Sequence, residues 1–154
     1  MKKAIFIFSL LIISLSCKSQ DDIISLNDIT INGMTILNES DSYIIQHFGQ
    51  PLNIETYLFE MDNVEGELYI YFGITFYVIN NKVELFEITN DNFVVTLNNF
   101  KIGDNISSLE NHFPLSYSNR NTKSVTLNLN DYDGALAFIF NQNNLITKIG
   151  LYSY

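Results

Sequence analysis

The sequence predicts an α+β fold: an antiparallel sheet built from two tandem units, each a short helix packed on a β-meander. Three observations predict it. Apolar and polar residues alternate along short runs, as in Leu68-Tyr69-Ile70-Tyr71-Phe72, Ile74-Thr75-Phe76-Tyr77-Val78 and Ser124 to Leu129. The aromatic residues are Phe and Tyr alone, and many Val, Ile and Thr accompany them, which suits a pleated, half-buried surface. Two short helix signals end in His-Phe, at His47-Phe48-Gly49 and His112-Phe113-Pro114.

The elements follow in chain order. Residues 1–16 carry Lys2 and Lys3, an apolar run from Ala4 to Leu15 and the small Ser16. That is the order of a secretory signal peptide. The apolar run falls short of the roughly 20 residues a membrane span needs. Cys17 follows directly and is the chain's single cysteine, so no internal disulfide is available. A lone cysteine behind Leu15-Ser16 resembles a bacterial lipobox, with the leucine one place closer than usual. The resemblance implies lipid attachment at Cys17; a free thiol after ordinary cleavage is the alternative. Residues 17–27 then form a lipidated tether. Its Lys18-Ser19-Gln20-Asp21-Asp22 resembles the surface-export signal of some Bacteroidota lipoproteins, or is a plain polar spacer.

The first unit spans residues 28–90. Asn32-Gly33 between Ile29-Thr30-Ile31 and Met34-Thr35-Ile36 is a strong hairpin signal. Ser40 caps a helix to Phe48, and Gly49 with Pro51 stops it. Gly73 bends or bulges the next strands, and Asn80-Asn81 turns into Val83 to Ile88. The second unit spans residues 91–154. Its helix runs from about Asp104 to Phe113, with Ser107 and Glu110 at capping-box spacing, Asp104 as the other candidate cap, and Pro114 as the stop. Asp133-Gly134 and Asn143-Asn144 turn its strands. Either unit alone is marginal in size, so the two are expected to share one core or sheet.

This pattern resembles the fold of the outer-membrane assembly lipoprotein BamE (SmpA/OmlA) and of the beta-lactamase inhibitor protein. The Gly-led entries Asn32-Gly33-Met34-Thr35 and Ile102-Gly103-Asp104 carry the resemblance, with Ile45 to Pro51 and the hairpin Tyr77 to Val83. A closer likeness is to uncharacterised bacterial domains with I-x-I-N-G, F-G-x-P, Y-F-G-I-x-F-Y and N-N-K-V in order. These stand at Ile29 to Gly33, Phe48 to Pro51, Tyr71 to Tyr77 and Asn80 to Val83. The second unit departs from the pattern, with Pro114 directly after Phe113. The resemblance implies a unit that binds another protein and catalyses nothing.

Charge narrows the function further. The formal net charge is -9. Without Lys2 and Lys3 the mature chain would carry 6 basic against 17 acidic groups, a net of -11. Such a chain repels nucleic acid and anionic headgroups, so attachment to a membrane must be covalent or apolar. The acids concentrate in the first unit, where ten face the single base Lys82. Glu55, Glu60, Asp62, Glu65 and Glu67 are the candidate partner-binding face, read as a docking site for a basic partner or as a solvated hairpin, with calcium binding as a third option. No metal site is expected: His47 and His112 lack further ligands and suit helix C-termini. Asn128 to Gly134 resembles a calcium loop, but Leu129 and Phe140 fall where ligands are required, so it reads as a turn. No nucleophile, zinc-protease or phosphate-loop motif is present, and no cofactor is expected.

The expected protein is therefore a non-enzymatic, lipid-anchored protein-binding or scaffold module of the outer membrane, periplasmic or surface-facing. Its partner would be an envelope component or a basic protein. An immunity or inhibitor protein against a toxin or hydrolase is the alternative, and an envelope hydrolase a second.

Overall fold

Asparagine sets the borders of the strands. A computed structural model describes residues 22–59 and 64–154. Every non-glycine residue with positive φ among them is an asparagine, including Asn32, Asn80, Asn81 and Asn144. Asparagine tolerates the left-handed region at little cost, and each of these residues sits in a turn.

Between the turns lie β1 (Ile23–Ile24), α1 (Asp41–Phe48), β2 (Asn53–Phe59), β3 (Val64–Tyr71), β4 (Ile74–Ile79) and β5 (Lys82–Ile88). There follow β6 (Val94–Val95), β7 (Phe100–Lys101), α2 (Pro114–Ser118), β8 (Ser124–Leu129), β9 (Gly134–Phe140) and β10 (Ile146–Ser153). Eight strands form one sheet in the order β1-β8-β9-β10-β5-β4-β3-β2. Among the described residues only the β1–β8 pair is parallel. The last strand closes the structure: β10 pairs with β5 through Ile149↔Ile88 and Leu151↔Phe86, which fuses the meanders β2–β5 and β8–β10.

The expected fold class is overturned. In place of two tandem helix-plus-meander units, the described residues form one large mixed sheet, a two-stranded β6–β7 ladder and two small helices, a mainly β architecture. The second helix decides the matter. Residues 104–113 hold only a 3-10 turn, Ile106–Leu109, capped by the Asn105 side chain, which accepts from Ser107 N at 3.0 Å. Pro114 starts α2 rather than ending a helix, because proline at the first helical position loses no intrahelical hydrogen bond. The Asn32-Gly33 turn forms, but Ile31↔Met34 is an isolated bridge and no hairpin grows from it. Ile31 instead also bridges Val95. Gly73 is a full reversal between β3 and β4, not a bend within a strand.

Helix α1 follows expectation. Ser40 Oγ accepts from Tyr43 N at 3.1 Å, and Gly49 leaves the helix at φ 81°. The helix covers one face of the sheet. Phe48 meets Phe76 edge-on with ring centroids 5.0 Å apart, and Tyr69 Oη donates to Asp41 at 3.3 Å. Farther along, Phe100 meets Phe138 at 5.4 Å. Ile29, Ile31, Ile36, Ile44, Phe76, Phe86, Phe138, Leu127 and Ile149 are fully enclosed. Asp131 ties the N-terminal segment to this body: its carboxylate accepts from Ser25 Oγ at 2.6 Å and Leu26 N at 3.0 Å. The Ser25 hydroxyl is the main cause that holds this carboxyl below its usual range. The segment that resembles a calcium loop is thus a tether point.

Candidate functional site

Side chains alternate across a strand, so the register decides which residues share a face. Ile74, Phe76 and Val78 of β4 point to the helix side and are buried. Thr75, Tyr77 and Ile79 point the other way, where Glu87 of β5 and Gly150 of β10 fall in line. This second face lies open to solvent over much of its area, its residues half-buried or exposed.

Two groups of side chains organise it. Tyr57, Phe59 and Tyr77 pack edge-on, with ring centroids 4.8, 5.5 and 6.1 Å apart. Leu85 and Phe59 are buried at 8% and 9% exposure beside them, although no helix covers them. Gly66 makes this possible, because a Cβ there would stand 2.8 Å from the Phe59 ring and 2.5 Å from Val78 O. Next to the rings, Glu87 holds two donors. It accepts from Tyr152 Oη at 2.8 Å and pairs with Lys148 Nζ at 3.0 Å. Tyr152 lies flat on Gly150, which only glycine permits: a Cβ would stand 2.7 Å from its hydroxyl. Burial, then the charges of Glu87 and Tyr57, push the Tyr77 phenol up to about 12. Burial, then the hydrogen bond to Glu87, hold Tyr152 well above its ordinary value. Both phenols are therefore protonated at neutral pH, and that of Tyr152 donates to Glu87. Among the described residues, no buried side-chain nitrogen or oxygen lacks a partner.

The structure divides the predicted acidic face. β2 and β3 pair with Glu55 opposite Leu68, Thr56 opposite Glu67 and Leu58 opposite Glu65. Glu65 and Glu67 therefore point to the helix side, while Glu55 points to the open face. Glu60 and Asp62 lie outside the described residues, as does Cys17. The five acids do not form one described surface. His47 Nδ1 bonds Tyr43 O at 2.9 Å within the last turn of α1. His112 follows a 3-10 turn and packs edge-on against Phe100. Among the described residues, no group of three or more His, Cys, Asp or Glu is placed to hold a metal ion.

Three cavities can be compared. One of about 430 Å³ lies between α2 and β8, lined by Ser116, Asn119, Arg120, Thr126, Asn128 and Tyr154 among others. A second of about 250 Å³ adjoins it, sharing Ser116, Asn119 and Asn128 and reaching Asp22 and Leu115. The third, about 310 Å³, opens at the end of the aromatic patch between Phe59, Ile79, Glu84 and Leu85. None is lined by more than one Asp or Glu, and none by a histidine.

No family model matches the chain, and no curated protein does. A solved structure is similar to it: an extracellular protein containing an SCP domain from Bacillus anthracis str. Ames. The TM-score is 0.52 at 13% identity, over 77% of this chain. The likeness is one of fold. The chain spans 44% of that protein's length.

The sequence shows Tyr77 only as a member of an alternating run, and it missed Tyr57, Phe59, Glu87, Lys148 and Tyr152 as a group. Part of the signal was present. Glu87 interrupts Phe86 and Ile88, and Lys148 and Tyr152 flank Ile149 and Leu151, so each has the parity opposite to the core. What the sequence hides is that β10 lies beside β5, about 60 residues earlier in the chain, the gap of the Glu87–Lys148 pair.

Proposed function

We propose that this chain is a lipid-anchored cell-envelope lipoprotein acting as a non-enzymatic protein-binding module, with the open sheet face as its binding surface. The observation that carries the reading is the Tyr57–Phe59–Tyr77 ring cluster set beside the Glu87–Lys148–Tyr152 network. Rings surrounded by satisfied polar groups are the anatomy of a protein interface. Strands hold them rigidly, so little side-chain entropy is lost on binding. The signal-like residues 1–16 and Cys17 support export and anchoring at the outer membrane. The SCP-domain neighbour is an extracellular protein, which agrees with export. Cavities without converging carboxylates favour binding over hydrolysis.

The test is crosslinking in cells and pull-down through a C-terminal tag on the full chain. Tyr57→Ala with Tyr77→Ala is expected to lower recovery of a specific partner at least about tenfold, while Leu145→Ala, at an exposed site in the β9–β10 turn, leaves it unchanged. Equal recovery from all variants refutes the open face as the binding surface. Labelled-palmitate incorporation that is the same in wild type and Cys17→Ala refutes the anchor.

A further inference from the structure

The sheet ends at β2, and that edge is unusual for a monomer. Among the described residues β2 pairs only with β3, so one row of its backbone donors and acceptors is unpaired. The strand is seven residues long and all but Phe59 are exposed. Natural edges of this length are shortened, bulged or filled with charge, because a free edge is a template for another strand. Here the register with β3 is unbroken from Asn53 to Phe59, and Glu55 is the strand's only charge. Ile54 and Leu58 stand 47% and 48% exposed on the helix-side face, beyond the cover of α1.

We infer that β2 pairs antiparallel with β2 of a second copy, across a two-fold axis through Thr56. The strand reads Asn53-Ile54-Glu55-Thr56-Tyr57-Leu58-Phe59. A two-fold at its centre sets Ile54 opposite Leu58 of the partner and Thr56 opposite itself. It sets Glu55 opposite Tyr57 and Asn53 opposite Phe59. Both exposed aliphatic residues gain an apolar cross-strand neighbour, and no like charges face each other. A register centred on Glu55 would set the two carboxylates opposite, and the pattern opposes it. Of the registers centred on a residue of β2, this one alone sets Ile54 and Leu58 opposite each other.

The net charge of -9 does not forbid the contact. Glu67 neighbours Thr56 on β3, so the two copies of Glu67 would be three strand spacings apart, roughly 14 Å. That exceeds the screening length of about 8 Å at physiological salt. The two Glu55 carboxylates lie diagonally, at roughly 7–8 Å, the one residual repulsion at the seam among the described residues. The chain's own leader is a poor occupant. The mature chain would add residues 17–21, about 18 Å of extended backbone at most. They join at Asp22 beside β1, seven strand spacings from β2, or roughly 34 Å. The contact uses the backbone edge of β2 and the proposed binding surface its open face; Tyr57 and Phe59 border both, but Thr56→Cys leaves both rings in place, so the crosslink reads the edge by itself.

The test is a single-cysteine scan of β2 in the full-length chain in its own membranes, oxidised and read as dimer on a non-reducing gel. The parent chain controls for Cys17. Opposed Cα atoms in an antiparallel pair are about 4.5–5.5 Å apart, within disulfide reach. Thr56→Cys is expected to give homodimer several-fold above Ile54→Cys or Leu58→Cys alone, and co-expressed Ile54→Cys and Leu58→Cys chains to crosslink with each other. Glu55→Gln in the Thr56→Cys chain relieves the diagonal repulsion and raises dimer about two- to threefold. Dimer from Thr56→Cys at the parent's level overturns the inference. So does equal crosslinking along the strand, or capture of a different protein in place of a second copy.

Discussion

Raising the pH above the phenol range removes stability that this fold stores in its tyrosines. Tyr69 is held up to about 12 by burial first, then by the charges of Glu67 and Asp41, whose carboxylates its hydroxyl contacts. Tyr77 is likewise held up to about 12, and Tyr71 and Tyr152 are raised by burial. The direction follows from linkage. A phenol raised in the fold stays protonated after its unfolded counterpart, near 10, has ionised. The native state then binds more protons than the unfolded one, so stability is whole below about pH 10 and falls as pH climbs toward 12. A phenol carried from 10 to about 12 gives at most about 2.7 kcal/mol. Tyr77 is half-buried, and solvent screening reduces its share to roughly 1 kcal/mol. The Tyr69 ring is 4% exposed, but its hydroxyl reaches the margin of the core, so about 1–2 kcal/mol is the fitting figure. Together they remove roughly 2–3 kcal/mol, a large share of a typical domain's stability. The chain has nine tyrosines and no tryptophan, so absorbance near 295 nm reports phenolate alone. Part of that signal should rise only above about pH 11 in the folded chain, and all of it near pH 10 in urea. Urea midpoints at about pH 9, 10 and 11 should decline in step. A single phenolate transition near 10 in the folded chain would refute the reasoning, as would a midpoint indifferent to pH.

Three further substitutions test the packing. Phe86→Ala empties a fully enclosed site at the β5–β10 junction and should cost about 3–5 kcal/mol in urea denaturation, since the sheet's two meanders meet there. Gly73→Ala meets a φ of 83° and puts a Cβ 2.1 Å from Asn90 Cβ, so the turn must shift; a loss of about 2 kcal/mol or more is expected by the same assay. Lys148→Met removes one of the two donors to Glu87, and with both side chains partly exposed, at 34% and 21%, the loss should stay near 1 kcal/mol or below.

The local readings that succeeded rest on chemistry confined to a few neighbours. Ser40 with Gly49 bounds α1, and Asn80-Asn81 turns β4 into β5, because cap and turn preferences need no distant partner. The failures are those in which a distant partner decides. Ser107 and Glu110 have capping-box spacing, yet Asn105 caps a shorter turn whose start is fixed by Ile106 N donating to Asn144 O. Asn32-Gly33 turns as expected, but its flanks find Val95 instead of extending a hairpin. Proximity in sequence also misgrouped the acids. Glu55 and Glu65 look like members of one hairpin patch, and strand parity sends them to opposite faces.

Strand parity also explains why a binding face can exist here at no expense to the core. Along β5, Phe86 and Ile88 enter the helix-side core while Glu87 between them faces out. Along β10, Ile149 and Leu151 do the same, and Lys148 and Tyr152 take the outer places. The β5–β10 pairing that completes the core therefore also assembles the outer network, from residues far apart in sequence. Two breaks in register adjust the result. The break between Tyr77 and Val78 leaves Glu84 as an extra residue beside Leu85, at the mouth of the 310 Å³ cavity. The break between Ile146 and Lys148 leaves Thr147 unpaired, so that Ile146 stays in the core while Lys148 turns toward Glu87. Bulges of this kind re-aim side chains without loss of the sheet. Removing Thr147 would leave the regular alternation of Ile146 inward, Lys148 outward and Ile149 inward, so the β9–β10 ladder could close up with Lys148 still on the face of Glu87. A Thr147 deletion should therefore keep both the fold and the Glu87–Lys148 pair, and partner recovery unchanged from wild type is expected; loss of recovery in a deletion that still folds would refute this account of the bulge.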